Sequence, residues 1–237
     1  MKAIVLAAGA GKRLGEITKA LPKPMIVVKS KPILEQNLRW LQSYGIQDIF
    51  INLHHWPQRI VDHLKNGSEF GVNISYSYED RLRGTAGAVR KIADEFWPDW
   101  AKEKEFFLVV YGDNLIEVNL DEIITFHKKK GGIATIGVYE KRDDLKESGI
   151  VLIDNDSKVL KFIEKPQPHQ MISRLVNAGI YLLTPQVLRY IPPAKAADFG
   201  KDVFPQMLQA GESVFACVIS GRIVPIDSPE LLNRALE

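Results

Sequence analysis

One cysteine, Cys217, stands in 237 residues, so neither an internal disulfide nor a cysteine-based zinc site can form. It lies in the apolar run 214–219 and reads as a buried, reduced thiol of a cytoplasmic protein. Long hydrophobic runs are missing as well. No stretch approaches the roughly 18 to 20 apolar residues that a membrane span needs, and the first residues lack a signal-peptide pattern, so a cytoplasmic location away from membranes is expected. Charge of one sign is scarce: 31 Lys and Arg against 29 Asp and Glu leave a formal charge of +2. That is too little for a general nucleic-acid surface, so any anion site must be local. Internal repeats and low-complexity linkers are also absent, which favours one compact unit. What remains is an ordinary globular composition, 46% hydrophobic and 25% charged, with length for a sizeable core.

Residues 2–8 form a short apolar run that ends in Gly9-Ala10-Gly11-Lys12-Arg13-Leu14-Gly15, which reads as a buried strand opening into a loop. Pro32 suits the first turn of a helix in which Ile33, Leu34, Leu38 and Leu41 follow helical spacing and Gly45 is the stop. A strand is expected over 48–53, a helix from Pro57, a strand over 72–78, a helix over 84–96, a buried strand over 106–111 and a helix over 120–130. Strand and helix alternate throughout this half. Helical crossovers are the usual way to return a chain for parallel pairing, so the fold class is α/β. After a strand over 133–140, shorter strands over 149–153, 158–164 and 175–183 read as antiparallel additions to the sheet. Helical pieces over 185–190 and 202–209, strands over 213–219 and 222–226, and a helix after Ser228-Pro229 complete the expectation.

An open parallel sheet binds ligands beyond the carboxyl ends of its strands, and three chemically loaded segments sit at such ends. In Gly9–Gly15, glycines let backbone N–H groups approach a phosphate while Lys12 and Arg13 add charge; a turn that merely joins strand to helix is the plainer alternative. The segment is not a dinucleotide fingerprint, because its third glycine falls one place late, and it is not a P-loop, because Arg13 stands where Ser or Thr is required. A nicotinamide-dependent oxidoreductase is therefore disfavoured. In Leu21-Pro22-Lys23-Pro24 two prolines stiffen the backbone around Lys23. In Tyr111-Gly112-Asp113-Asn114 a carboxylate follows a buried strand, and Asp227 follows another apolar strand. Either Asp alone reads as a turn residue, but two at neighbouring strand ends suit a magnesium ion. His54, His55 and His63 read as surface or capping residues, and Trp56, Trp97 and Trp100 as local packing.

These segments occur in order with Gly84-Thr85-Ala86-Gly87-Ala88, Glu164-Lys165-Pro166 and Asn177-Ala178-Gly179-Ile180-Tyr181. Over nearly the whole chain this order resembles the sugar-1-phosphate nucleotidylyltransferases. The resemblance implies a Rossmann-like, mostly parallel mixed sheet flanked by helices, with a small antiparallel sugar-binding addition. It implies one domain over 1–237, nucleotide-binding over about 1–115 and sugar-phosphate-binding over about 116–237. The implied reaction is magnesium-dependent transfer of a nucleotidyl group from a nucleoside triphosphate to a sugar 1-phosphate. A homodimer is the assembly considered.

By the same resemblance, Leu6, Ala8, Gly9, Gly11 and Lys12 belong to the loop around the nucleotide's phosphates. Arg13 matches the arginine on the departing pyrophosphate, and Lys23 the lysine at the reacting centre. Gly84 and Thr85 lie along the base, with Glu79 and Arg83 near its edge. Asp113 and Asp227 match the Mg²⁺ ligands, and Arg13, Lys23 and Asp113 are the catalytic set. Glu164 resembles the carboxylate that reads sugar hydroxyls, Lys165 the lysine on the sugar phosphate, and Asn177 and Gly149 the sugar-side lining. Gly84-Thr85-Ala86-Gly87 looks most like guanylyltransferases for mannose or heptose 1-phosphate. Uridylyl, thymidylyl or cytidylyl transfer to another sugar 1-phosphate is the alternative. A non-catalytic NDP-sugar-binding regulatory subunit is the alternative of another class, opposed by Arg13, Lys23, Asp113 and Asp227 occurring together. The loop departs from the family's habit in having Lys12 before the arginine and Gly15-Glu16-Ile17-Thr18 after it. The chain ends shortly after Asp227, so no left-handed β-helix, acyl transfer or β-helix trimer is expected.

Overall fold

A computed structural model describes residues 1–9, 11–142 and 144–236, and of Lys12 the backbone alone. Ala10 and the Lys12 side chain, both in the expected phosphate loop, lie outside the described residues. Strand β1 (Ala3–Leu6) leads, as expected, into the glycine segment. That segment tightens into a 3-10 stretch, Lys12–Thr18, broken at Gly15. Gly11 starts it at φ 61°, its carbonyl accepts from Leu14 N–H at 2.9 Å and from Thr18 Oγ1 at 3.0 Å, and a Cβ on it would fall 2.8 Å from Thr18 and 3.1 Å from Lys23. The turn closes this tightly only around a glycine.

A second 3-10 turn, Lys23–Met25, precedes two short strands the patterning does not reveal, β2 (Val27–Val28) and β3 (Lys31–Pro32). They pair antiparallel around Lys29 and Ser30, both at positive φ. Then come α1 (Ile33–Ser43), β4 (Asp48–Leu53), α2 (Pro57–Leu64), β5 (Asn73–Tyr78), α3 (Gly84–Phe96) and β6 (Phe107–Tyr111), all close to expectation. Strand β7 (Asn114–Val118) is unanticipated. Helix α4 (Leu120–Lys130) is capped by Asn119, whose side chain accepts from Asp121 N–H at 3.1 Å. Next are β8 (Ala134–Glu140), β9 (Gly149–Ile153), β10 (Val159–Glu164), β11 (Leu175–Leu183) and a 3-10 stretch Pro185–Tyr190. A π-helical turn, Phe199–Val203, runs into α5 (Phe204–Gln209), and β12 (Val214–Val218), β13 (Gly221–Pro225) and α6 (Pro229–Leu236) finish the chain. The fold is α/β, a mixed parallel and antiparallel sheet flanked by helices. Among the described residues no helix is long and apolar enough to cross a membrane.

Two compact units interleave along the sequence. One comprises Met1–Leu82, Val110–Val118 and Gly221–Glu237, the other Arg83–Val109 and Asn119–Ser220. In the first, β1, β4 and β5 run parallel, Ala3 opposite Ile49 and Asp48 opposite Asn73, with α1 and α2 as the crossovers the alternation calls for. The antiparallel pair β7–β13 sets Asn114 opposite Pro225. In the second unit β9 pairs antiparallel with β10 and β11, and β8 with β11, while β12 joins β8 in parallel.

The second unit is filled by four aromatic rings. Phe162 and Phe204 lie 5.3 Å apart by centroid, Tyr181 is 5.2 Å from both Phe199 and Phe204, and Phe199 stacks on Phe204 at 5.4 Å. Cys217 is buried here, and burial, helped by the charge of Glu122, pushes its thiol up to about 11, so at neutral pH it is an uncharged packing group. Because Phe204 is fully buried and touches three other rings, Phe204→Ala is expected to cost about 3–5 kcal/mol. Equilibrium urea unfolding measures it, and a loss under about 1 kcal/mol would contradict this account of the core.

Candidate active site

Four charged side chains from distant parts of the sequence meet in the first unit. Arg13 and Lys23 come from the 3-10 turns after β1, Asp113 from the turn between β6 and β7, and Asp227 from the segment after β13. Their neighbours explain the meeting. Leu14, Ile26, Leu115 and Ile226 pack into one buried cluster with Val28, Ile33, Val224 and Ala235. Burying that apolar surface drags the adjoining polar residues to a common rim. Asp113 and Asp227, expected at neighbouring strand ends, are brought together by a pairing the sequence does not announce. β13 pairs with β7, the strand hidden from sequence reading, and Ile226 N–H donates to the Asp113 carbonyl at 3.3 Å.

Lys23 is not the surface lysine that a lysine between prolines commonly is. Its side chain is only 5% exposed, with Nζ 2.5 Å from Asp113 Oδ2 and also donating to Asp227 Oδ1. Arg13 Nη2 reaches the same Asp227 oxygen at 3.2 Å. Burial by itself would lower the Lys23 pKa, but the charges and hydrogen bonds of Asp113 and Asp227 outweigh it and hold the ammonium above its ordinary value. Lys23 is therefore charged throughout the neutral range. Its contribution to stability is complete below the ordinary lysine pKa and is lost only as pH climbs through the raised value.

The two aspartates keep 26% and 32% of their side-chain surface. A pair of hard oxygen donors, converging on one positive charge and still open to water, fits magnesium, which retains several waters and takes few protein ligands. Among the described residues no group of three or more His, Cys, Asp and Glu forms a cage, so the donor set is of the open kind.

Other residues of the expected nucleotide side sit around β1. The Leu6 carbonyl accepts from Gly112 N–H at 2.9 Å, and Ala8 is buried. A Cβ placed on Gly9 meets nothing within 4 Å, which leaves room beside that backbone. Ala7 N–H donates to Asn52 Oδ1 at 2.8 Å, and Asn52 Nδ2 donates to Glu79 Oε1 at 2.7 Å. Glu79 is thus buried as a member of a relay that pins the start of the loop, and its carbonyl lies 2.8 Å from His54 Nδ1. Asn52 was missed in the sequence. Its signal is a single amide inside the apolar run Ile51-Asn52-Leu53.

The residues expected on the sugar side all fall in the second unit. Glu164 stands opposite Gly149 in the β9–β10 pair. A Cβ on Gly149, or on Gly200 of the π-helical turn, would come within 2.7 Å of Glu164 Oε2. Two glycines and the Phe162 ring make a slot for this carboxylate, which forms no hydrogen bond or ion pair among the described residues. Burial raises its pKa, against the lowering effect of Lys165 and Lys201. Lys165 sits at φ 50°, a costly conformation for a side chain with Cβ, and its Nζ donates to Glu147 at 2.9 Å. Asn177 donates to the Tyr181 hydroxyl at 2.7 Å and accepts from Gly179 N–H at 3.0 Å, bracing the irregularity where β11 slips against β8. Gly84 and Thr85 open α3 in this same unit. Thr85 N–H and Oγ1 both donate to Asp198 Oδ1 at 3.2 Å, and the hydroxyl accepts from Phe199 N–H at 3.0 Å. Gly200 and Asp198 were not singled out in the sequence, since their partners lie far off in the chain.

A sequence profile of the nucleotidyl transferase family matches residues 2–222. The chain belongs to that family. This nucleotidyl transferase is 37% identical over 226 residues to the UTP–glucose-1-phosphate uridylyltransferase of Synechocystis sp., across 91% of its own length and 57% of the relative's. It is 32% identical over 231 residues to the mannose-1-phosphate guanyltransferase of Yarrowia lipolytica, across 97% and 61%. It therefore spans about 60% of the length of these curated relatives. Among solved structures it is similar to HddC from Yersinia pseudotuberculosis complexed with GMP-PN, with a TM-score of 0.80, 25% identity, and 99% and 97% of the two chains covered. It is similar too to a Bacillus anthracis structure described as a glucose-1-phosphate thymidylyltransferase with sucrose, with a TM-score of 0.86, 27% identity, and 100% and 94% covered.

The slot around Glu164 makes a test of its own. A carboxyl whose folded pKa is raised destabilises the fold above its ordinary pKa and costs nothing below it. Glu164→Gln is expected to raise the melting temperature at pH 7, with the gain closing as pH falls toward about 4. A lower melting temperature at pH 7 would mean that Lys165 and Lys201 hold the charged form after all.

Proposed function

We propose that this chain transfers a nucleotidyl group from a nucleoside triphosphate to a sugar 1-phosphate and releases pyrophosphate, with Mg²⁺ as cofactor, in the cytoplasm. The observation that carries this reading is the buried Lys23 ammonium shared between Asp113 and Asp227 with Arg13 beside them. An oxygen of the sugar phosphate bonds to the α-phosphorus while the bond from that phosphorus to the bridging oxygen breaks, and pyrophosphate leaves with the electron pair. Both reactants are anions that repel each other, so alignment and charge neutralisation are the main tasks of the catalyst.

Lys23, buried and charged, is assigned to the α-phosphoryl oxygens. Arg13, half exposed, is assigned to the departing pyrophosphate, and the loop of Leu6, Ala8, Gly9, Gly11 and Lys12 to the phosphates. Asp113 and Asp227 would hold Mg²⁺, which supplies Lewis-acid charge when bound. The attacking phosphate oxygen is ionised near neutral pH, so no side chain need remove a proton. Glu164, with Gly149 and Asn177, is assigned to the sugar hydroxyls, Lys165 to the sugar phosphate, and Gly84, Thr85 and Glu79 to the base.

For the substrates we favour GTP with mannose 1-phosphate or a heptose 1-phosphate, supported by the guanyltransferase relative and the GMP-PN-bound neighbour. The higher identity to the uridylyltransferase, 37% against 32%, supports a second reading with UTP. A pyrophosphate-release screen of several triphosphates against a panel of sugar 1-phosphates separates them, and silence for every pair would sink both. Asp113→Ala is expected to lower turnover by about 10²–10³-fold with the fold retained, because Lys23 keeps Asp227 as a partner. Turnover that survives this change would contradict the assignment.

A further inference from the structure

Helix α1 crosses the outer edge of β7. Ile226 N–H reaches the Asp113 carbonyl, so Asp113 faces β13 with its backbone groups while Asn114, next in line, turns its carbonyl the other way. Two α1 side chains and one just beyond the helix meet the edge so exposed. Asn37 Nδ2 donates to the Asn114 carbonyl at 2.9 Å and, over a longer 3.4 Å, to the Gly112 carbonyl. Trp40 Nε1 and the Tyr44 hydroxyl, just past the end of the helix, donate to the Val118 carbonyl at 3.0 and 3.2 Å. The carbonyls bound by Asn37 flank Asp113 on both sides.

Asn37 is fully buried, and its Oδ1 has no hydrogen-bond partner among the described residues. Both groups facing it are acceptors, so only its NH₂ end can point at them, and the orientation of the amide is fixed. A buried acceptor left unsatisfied lowers stability. What the site retains is the donor end.

We infer that Asn37 is a positioning residue for Asp113: it clasps the peptide groups on either side of that carboxylate and so sets where Asp113 points toward Asp227 and a divalent cation. This rests on the proposed metal role of Asp113 and Asp227. Residues that orient metal ligands without touching the metal typically change affinity 10–100-fold when removed.

The test is a Mn²⁺ titration of the full chain, without nucleotide, followed by paramagnetic broadening of backbone amide signals. The wild type should broaden around 113 and 227. Asn37→Leu, close in size and without a donor, should need at least about ten times more Mn²⁺ for the same broadening. Trp40→Phe is the control, since it removes a bond from the same helix to the same strand at the end remote from Asp113. It should lower the melting temperature yet leave the Mn²⁺ midpoint within about two-fold of wild type. If Asn37→Leu does not fold, Asn37→Ala decides in its place. A midpoint unchanged in the Asn37 variant, or shifted as much by Trp40→Phe, overturns this inference alone. No broadening at 113 and 227 in the wild type overturns the metal reading and takes this inference with it.

Discussion

A single ammonium group inside the protein organises the candidate site. Lys23 gives up nearly all its water, and an isolated charge so placed would be costly or would lose its proton. It keeps the proton because Asp113 and Asp227 are both within hydrogen-bonding distance. Those two carboxylates stand 114 positions apart in the sequence and would repel each other without it. The lysine and the aspartates are therefore conditions for one another. The apolar cluster of Leu14, Ile26, Leu115 and Ile226 beneath them supplies the drive that brings the segments together. It carries no chemistry, but without it the charged groups would have no reason to share a rim.

How much of this is legible beforehand depends on the reach of each interaction. Helices α1, α2, α3 and α4 and strands β4 and β5 show themselves because spacing, proline starts and glycine stops are local. The tight turn after Gly11 does not, since its closure depends on Thr18 and Lys23 filling the space where a Cβ would go. Strand β7 is hidden for another reason. Asn114-Leu115-Ile116-Glu117-Val118 is too short and mixed to declare itself, and only pairing with β13, a hundred residues on, makes it a strand. The resemblance of motifs names Asp113, Asp227, Lys23 and Glu164. It leaves Asn37, Asn52 and Gly200 unnoticed, because what marks them is a distant carbonyl or carboxylate.

The two units handle their carboxylates in opposite ways. In the first, each aspartate is paired with a cation through one oxygen, and charge on the four side chains formally cancels, two acidic against two basic. A triphosphate and a sugar phosphate bring a large surplus of negative charge that Lys23 and Arg13, already matched, cannot offset. Under the proposed reaction this is the physical argument for a divalent cation as the third positive group. In the second unit Glu164 is held by space rather than by bonds, in a slot between two glycines and a phenylalanine ring. A carboxylate left with its lone pairs free suits a ligand that brings hydroxyl donors, as a sugar does.

Local penalties occur at these places too. Lys165 adopts a positive φ, Glu164 is held away from its ordinary pKa by burial, Asn37 keeps an orphaned acceptor, and Lys23 is a buried charge of the kind that well-packed apolar residues often replace without loss of stability. Positive φ also occurs at residues with no assigned role, Lys29, Ser30, Trp56 and Lys65 among them, so it is the charged groups more than the backbone that set these places apart. A sequence shaped for stability alone would have removed such conflicts one at a time, each by a single substitution. That Lys23 stays a buried charge between two carboxylates and Glu164 a carboxylate held without bonds among the described residues is a structural reason to look for the chemistry at each of them.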